Sequence, residues 1–248
     1  MVDRQGELPQ YEVLNRLRRR GLNPMVALNF DASYPGIDIK YEMSLMKEYL
    51  NHMEAGIESV KDKYLAREET IHASAEYFEY SHIYVVAEYG LARFVRQPFV
   101  VSIYSLYESS FNRLMDYAQK KEERKLSHRD IANSSNSYAS KINKYVEHVL
   151  NFKYQLTSSE MGRLKILAEI RNLIAHGNGS ILSLPKEKLD KLKTLEDRRI
   201  GVAVEFNELR IEHAFLVENF ELVASVLKRF MDHIEQRYDQ KWHLPNIS

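Results

Sequence analysis

Along most of this chain apolar residues recur at steps of three and four, the period of helices with one buried face. Tyr41, Leu45, Tyr49, Met53, Ile57, Val60 and Tyr64 draw one stripe and predict a long helix from Tyr41 onward. Ile71, Phe78, Val85, Val86, Tyr89 and Phe94 draw a second over about residues 70–96. Pro98 is read as opening a third helix, because the first turn has no use for the N–H that proline lacks. From Phe99 to Tyr117 that helix is apolar over nearly half its circumference. The remaining strip carries Ser102, Ser105, Ser109 and Asn112, with Glu108 at the border, which predicts a central helix with neighbours on several sides.

A polar connection from Lys120 to Ser137 precedes a helix expected over Tyr138–Tyr154. Thr157-Ser158-Ser159-Glu160 reads as a capping box, in which hydroxyl and carboxylate satisfy each other's backbone amides. The helix it starts turns Leu164, Leu167, Ile170 and Ile174 inward and stops at Gly177-Asn178-Gly179. Pro185–Asp197 is a short charged helix or linker. The period then drops to two. Ile200, Val202, Val204 and Phe206 alternate, Asn207-Glu208 fit a turn, and Leu209 and Ile211 resume, giving one hairpin over about residues 200–211. A last helix spans Ala214–Arg237. The expected fold is all-α, an antiparallel bundle of about five long helices with one small β-hairpin before the last. Residues 1–40 are expected to form an N-terminal arm and loop, and 41–248 a single helical domain.

Composition narrows the chemistry. The 248 residues carry 35 basic and 35 acidic side chains, nine histidines and no cysteine. A net charge of zero excludes the broad positive field of a nucleic-acid coat, so phosphate contact must be local. Arg16, Arg18, Arg19 and Arg20 form one basic cluster, read as a solvated face with phosphate contact as the alternative. Without cysteine there are no disulfides, thiolate metal sites or thiol nucleophiles. Met1–Pro9 is polar, and no apolar run reaches the roughly 18 residues a membrane span needs, so a cytoplasmic protein without membrane contact is expected. No His pair has the i, i+4 spacing of a zinc helix, and neither a phosphate-cradling glycine loop nor a Gly-x-Ser-x-Gly elbow occurs. The expectation is therefore no metal and no cofactor.

What remains is Glu169-Ile170-Arg171-Asn172-Leu173-Ile174-Ala175-His176-Gly177. Arginine followed at this range by histidine also occurs at Arg67–His72 and Arg237–His243, but Arg67 is followed by Glu68 and Glu69, and His243 lies just before Leu244-Pro245. Only the middle copy has a polar residue after the arginine, a glycine stop and a capped apolar helix. This segment resembles the Arg-x4–6-His signature of the HEPN superfamily, and the order of long helices with the motif late in the bundle is similar too. The resemblance implies a metal-independent endoribonuclease that acts on an RNA substrate as a homodimer with a composite cleft. Arg171, Asn172 and His176 would be its catalytic residues. It further implies toxin–antitoxin or antiviral defence, with an antitoxin or a nucleotidyltransferase as partner.

On a helical wheel Arg171 and His176 are about 140° apart and about 7.5 Å along the axis, so they cannot share a face while the helix is regular. Asn172 and His176 do share one, and Lys165 and Glu169 complete that polar wedge as supporting or RNA-contacting residues. Arg171 points to an apolar strip with Leu164, Ala168 and Ala175, where it needs a carboxylate or an interface, and Glu108 is the candidate partner. Two other readings stay open. His176 before Gly177 is also an ordinary C-terminal histidine contacting terminal carbonyls, with Arg171 a structural ion pair. On that footing the chain is either a non-catalytic HEPN-like module that binds a nucleotide or a partner protein such as a nucleotidyltransferase, or a purely structural interaction protein in which the motif is an ion-paired remnant.

Overall fold

The computed structural model describes residues 31–73, 77–131, 137–182, 184–197 and 200–238, with backbone alone at 77–80 and 197. Helix α1 (Gly36–Ile71) is followed by α2 (Tyr77–Val85), a π-turn (Val86–Gly90) and α3 (Leu91–Lys121). Then come α4 (Tyr138–His148), α5 (Ser158–Gly177), α6 (Lys186–Asp197), strands β1 (Val202–Glu205) and β2 (Glu208–Ile211), and α7 (His213–Arg237). The fold is all-α with one two-stranded antiparallel hairpin before the last helix, as the apolar period predicts. No helix among the described residues is long and apolar enough to cross a membrane.

The bundle is built round α3, which packs against α1, α5 and α7. Its Val100, Ile103, Phe111, Leu114 and Met115 are completely buried, and Phe111 stacks on Phe230 of α7 with ring centres 5.2 Å apart. Removing a side chain of that size from water contributes about 1.5–3 kcal/mol. The small-residue strip Ser102, Ser105 and Ser109 is exposed, so neighbours cover the apolar sector and leave the serines bare.

Several boundaries differ from the sequence expectation. Helix α1 starts at Gly36, and Tyr34 before it is buried with its hydroxyl donating to Glu235 at 3.0 Å. Its buried seam is Ile39, Leu50, Met53 and Ile57, with Met43 and Met46 partly covered, whereas Tyr41, Leu45 and Tyr49 are 65%, 52% and 55% exposed. Each step of four residues advances about 40° beyond a full turn, so the row 41–45–49 winds off the core, while alternating steps of three and four stay on it. The second stripe straddles a break, since α1 runs to Ile71 and α2 begins at Tyr77. Pro98 does not open a helix but lies inside α3. An interior proline removes one hydrogen bond and crowds the preceding turn, at a cost of about 3 kcal/mol. The buried Phe99, Val100 and Ile103 that follow it hold the helix together. Helix α4 stops at His148, and Asn151 turns the chain with φ 55°.

In the hairpin Glu205 faces Glu208, so the turn residues are Phe206 and Asn207, one position earlier than Asn207-Glu208. Both have positive φ, 51° and 61°, which the right-handed twist of a two-residue hairpin demands. Asparagine adopts this readily, whereas phenylalanine is disfavoured there by its Cβ. Phe206 is 68% exposed, its ring 5.5 Å from that of Tyr89.

Candidate functional site at the end of α5

Both ends of α5 are fixed by short-range chemistry. Thr157 Oγ1 accepts from the Glu160 amide at 3.2 Å while the Glu160 carboxylate accepts from the Thr157 amide at 2.8 Å, the expected capping box. Leu164, Leu167, Ile170 and Ile174 are buried as their spacing predicts. At the far end Asn178 and Gly179 take left-handed backbone, φ 49° and 73°, and stop the helix.

That end is then clamped by the rest of the fold. Arg93 of α3 donates to the Asn178 carbonyl oxygen at 2.6 Å and pairs with Glu208 of β2. The Leu209 amide donates to Gly179 O at 2.8 Å and the Ile181 amide to Asn207 O at 3.0 Å. Buried Gln97 donates its side-chain N–H to Leu209 O at 2.7 Å. A Cβ on residue 179 would fall 2.4 Å from Gln97 Nε2, so the position requires glycine for space as well as for φ. His176 therefore lies on a helix end held by both the bundle and the hairpin.

The two halves of the motif face different neighbours. Arg171 turns to α3, where Nη2 lies 3.3 Å from Glu108 Oε2 and the guanidinium carbon 4.3 Å from the centre of the Tyr104 ring. Its Nη1 donates to Asn172 Oδ1 at 2.8 Å. The pair is part-exposed, 25% and 39%, so it contributes about 0–1 kcal/mol, and the ring about 0.5–1 kcal/mol more. Burial, then the Glu108 carboxylate, push the Tyr104 phenol above its ordinary pKa against the opposing pull of Arg171.

His176 faces a groove of about 290 Å³ between α5 and α6, together with Glu169, Asn172, Ser180, Lys188 and Lys191. It is exposed and makes no hydrogen bond or ion pair with the described residues. Of the residues singled out in the sequence, the structure thus groups Glu169, Asn172 and His176 at the groove and pairs Arg171 with Glu108. Asn172 touches both groups, and Lys165 is exposed on α5 and joins neither. Within one chain Arg171 and His176 do not face a common space, as their five-residue spacing dictates. Among the other arginine–histidine spacings, Arg67 is spent on Glu68 at 2.6 Å and Arg237 on Glu122 at 2.6 Å. His243 and the Arg16–Arg20 cluster lie outside the described residues.

Sequence reasoning missed Arg93, Gln97, Tyr104, Lys188 and Lys191. The i, i+3 spacing of Lys188 and Lys191 marks one face of α6, but nothing local says that α6 returns to the end of α5.

Fold and site together define a helical bundle that presents an imidazole and a carboxamide at a braced helix terminus, with a guanidinium on the next face of the same helix. Comparison of the chain with protein-family models, curated proteins and solved structures finds no match.

Proposed function

We propose that this protein is a metal-independent endoribonuclease of the HEPN type. The observation that carries the reading is His176, on a helix end held by Arg93, Gln97 and the hairpin through the loop that follows it, without a polar partner among the described residues and open to a groove. RNA brings its own nucleophile, the 2′-hydroxyl beside the scissile phosphate. His176 takes the proton from that hydroxyl as its oxygen bonds to phosphorus, and a proton returns to the departing 5′-oxygen as the P–O5′ bond breaks. Asn172 orients the imidazole or binds a phosphate oxygen, and a guanidinium stabilises the charge on the phosphorane.

Because Arg171 and His176 of one chain face apart, a shared site needs either an unwound last turn of α5 or, as this reading has it, a second copy in a homodimer with a composite cleft. The exposed serine strip of α3 beside Glu108 and the bare Tyr41, Leu45 and Tyr49 of α1 support such a contact. The setting that accords with this is cytoplasmic toxin–antitoxin or antiviral defence, with an antitoxin or a nucleotidyltransferase as partner.

One observation favours a second reading. Arg171 is already engaged by Glu108, Tyr104 and Asn172, which suits a non-catalytic HEPN-like module that binds a nucleotide or a partner protein. Induced expression of wild type and His176→Ala, with total RNA sized on a gel, separates the two. The endoribonuclease reading expects arrested growth and fragmented RNA only with wild type; equal growth and intact RNA in both overturn it. Cleavage by purified protein is expected to persist in excess EDTA, and its loss contradicts metal independence.

A further inference from the structure

The groove beside His176 has a second wall that the motif does not supply. Lys188 and Lys191 project from α6 into it, three residues apart and hence on one helix face. Lys188 has no ion-pair partner among the described residues, and Lys191 has only Glu187, 3.7 Å away with both side chains more than half exposed, a pair too solvated to hold it. Leu173, Leu184 and Leu192 give the same groove an apolar lining. An apolar surface flanked by ammonium groups on one side and by an imidazole, an amide and the Glu169 carboxylate on the other matches a nucleotide whose phosphates lie on the lysine side, away from Glu169. The volume of about 290 Å³ is at the small end for ligand sites, which fits one unit and not a longer segment.

We infer that this groove binds one unpaired nucleotide of single-stranded RNA, its base against the leucines and its phosphates held by Lys188 and Lys191. The inference rests on the ribonuclease reading and adds to it the cations that Arg171, tied to α3, does not bring to this side of α5. An unpaired nucleotide is required because a base must leave its stack to lie on an apolar wall, which paired strands do not allow.

The test uses the full chain carrying His176→Ala, so that RNA is bound without being cut. Binding of a fluorescein-labelled single-stranded RNA oligonucleotide is followed by anisotropy over a salt series. Adding Lys188→Ala and Lys191→Ala is expected to weaken binding about tenfold and to flatten the dependence of log K on log salt by about 1.4, two phosphate contacts' worth. Replacing the exposed Lys144 and Lys228 with alanine instead is expected to change neither, and a duplex of the same sequence to bind more weakly. If the His176→Ala chain binds RNA and the α6 pair changes nothing, or the control pair costs as much, the inference fails while the ribonuclease reading stands. Equal binding of the duplex overturns the unpaired nucleotide. If wild type cuts no RNA and the His176→Ala chain binds none, the ribonuclease reading falls and takes the inference with it. Unchanged melting temperatures, expected for exposed helix positions, show that each variant is folded.

Discussion

Arg171 spends its guanidinium three ways, on a carboxylate, an aromatic face and the amide of its own neighbour. These contacts together are worth about 1–2 kcal/mol after solvent screening, so Arg171→Ala should lower stability by no more than that in urea denaturation. If Arg171 also meets the transition state, cleavage should fall about a hundredfold or more, far beyond what so small a loss of stability explains. Gly179 makes the opposite kind of prediction. Gly179→Ala forces a side chain into left-handed backbone and against buried Gln97, and should cost about 1–2 kcal/mol or more while displacing the loop that follows His176. Circular dichroism melts and the cleavage assay read the two effects separately. The pairing of Arg171 with Glu108 was legible in the sequence because it follows from a helical wheel and from the cost of leaving an arginine on an apolar strip. The tie between Gln97 and Gly179 was not, because the two residues are far apart in sequence and meet only when the hairpin folds between them.

Elements legible in advance are those whose limits are written locally. The capping box at Thr157 and the Gly177-Asn178-Gly179 stop bound α5 as the sequence expects, and Thr157→Ala should cost about 1 kcal/mol by freeing an amide. The elements that misled are governed by packing. Pro98 carries the local signal of a helix start, yet the burial of Phe99, Val100 and Ile103 carries α3 through it. Pro98→Ala should therefore raise stability, by up to about 3 kcal/mol, through restoring a backbone hydrogen bond and relieving the preceding turn. Guanidinium melts of the two proteins measure this, and a destabilised Pro98→Ala would show that the proline suits its site. On α1 two apolar rows compete, and only the facing helices decide that Ile39, Leu50, Met53 and Ile57 win over Tyr41, Leu45 and Tyr49.

For the whole molecule, part of the balance of 35 against 35 charges joins helices among the described residues. Arg113 reaches Asp38 and Glu42, Arg96 reaches Glu54, Lys40 reaches Glu235, and Arg237 reaches Glu122. Two histidines add a pH dependence. Burial lowers the pKa of His128 below 6.5 against the opposing pull of Asp116, and burial followed by Arg237 lowers that of His233. With the folded value below the unfolded one, the unfolded chain takes up more protons in that window, so stability is present above about pH 6.5 and is lost as pH falls through the folded values. Melting temperature should be level between pH 8 and 7 and decline below about 6.5, and His128→Gln with His233→Gln should flatten the decline. The same map shows how the fold treats its lysine-bearing segment. Backbone bonds from Ile181 to Asn207 and from Leu209 to Gly179 bring the chain back beside the point where it departed, so α6 and β1 hang from a stitched neck. Within that neck Leu192, Leu195 and Val202 are buried in the core and β1 is paired with β2, so the segment is fastened along its length as well as at its ends. Changes at the exposed Lys188 and Lys191 of α6 therefore leave the anchorage of the helix that carries His176 intact.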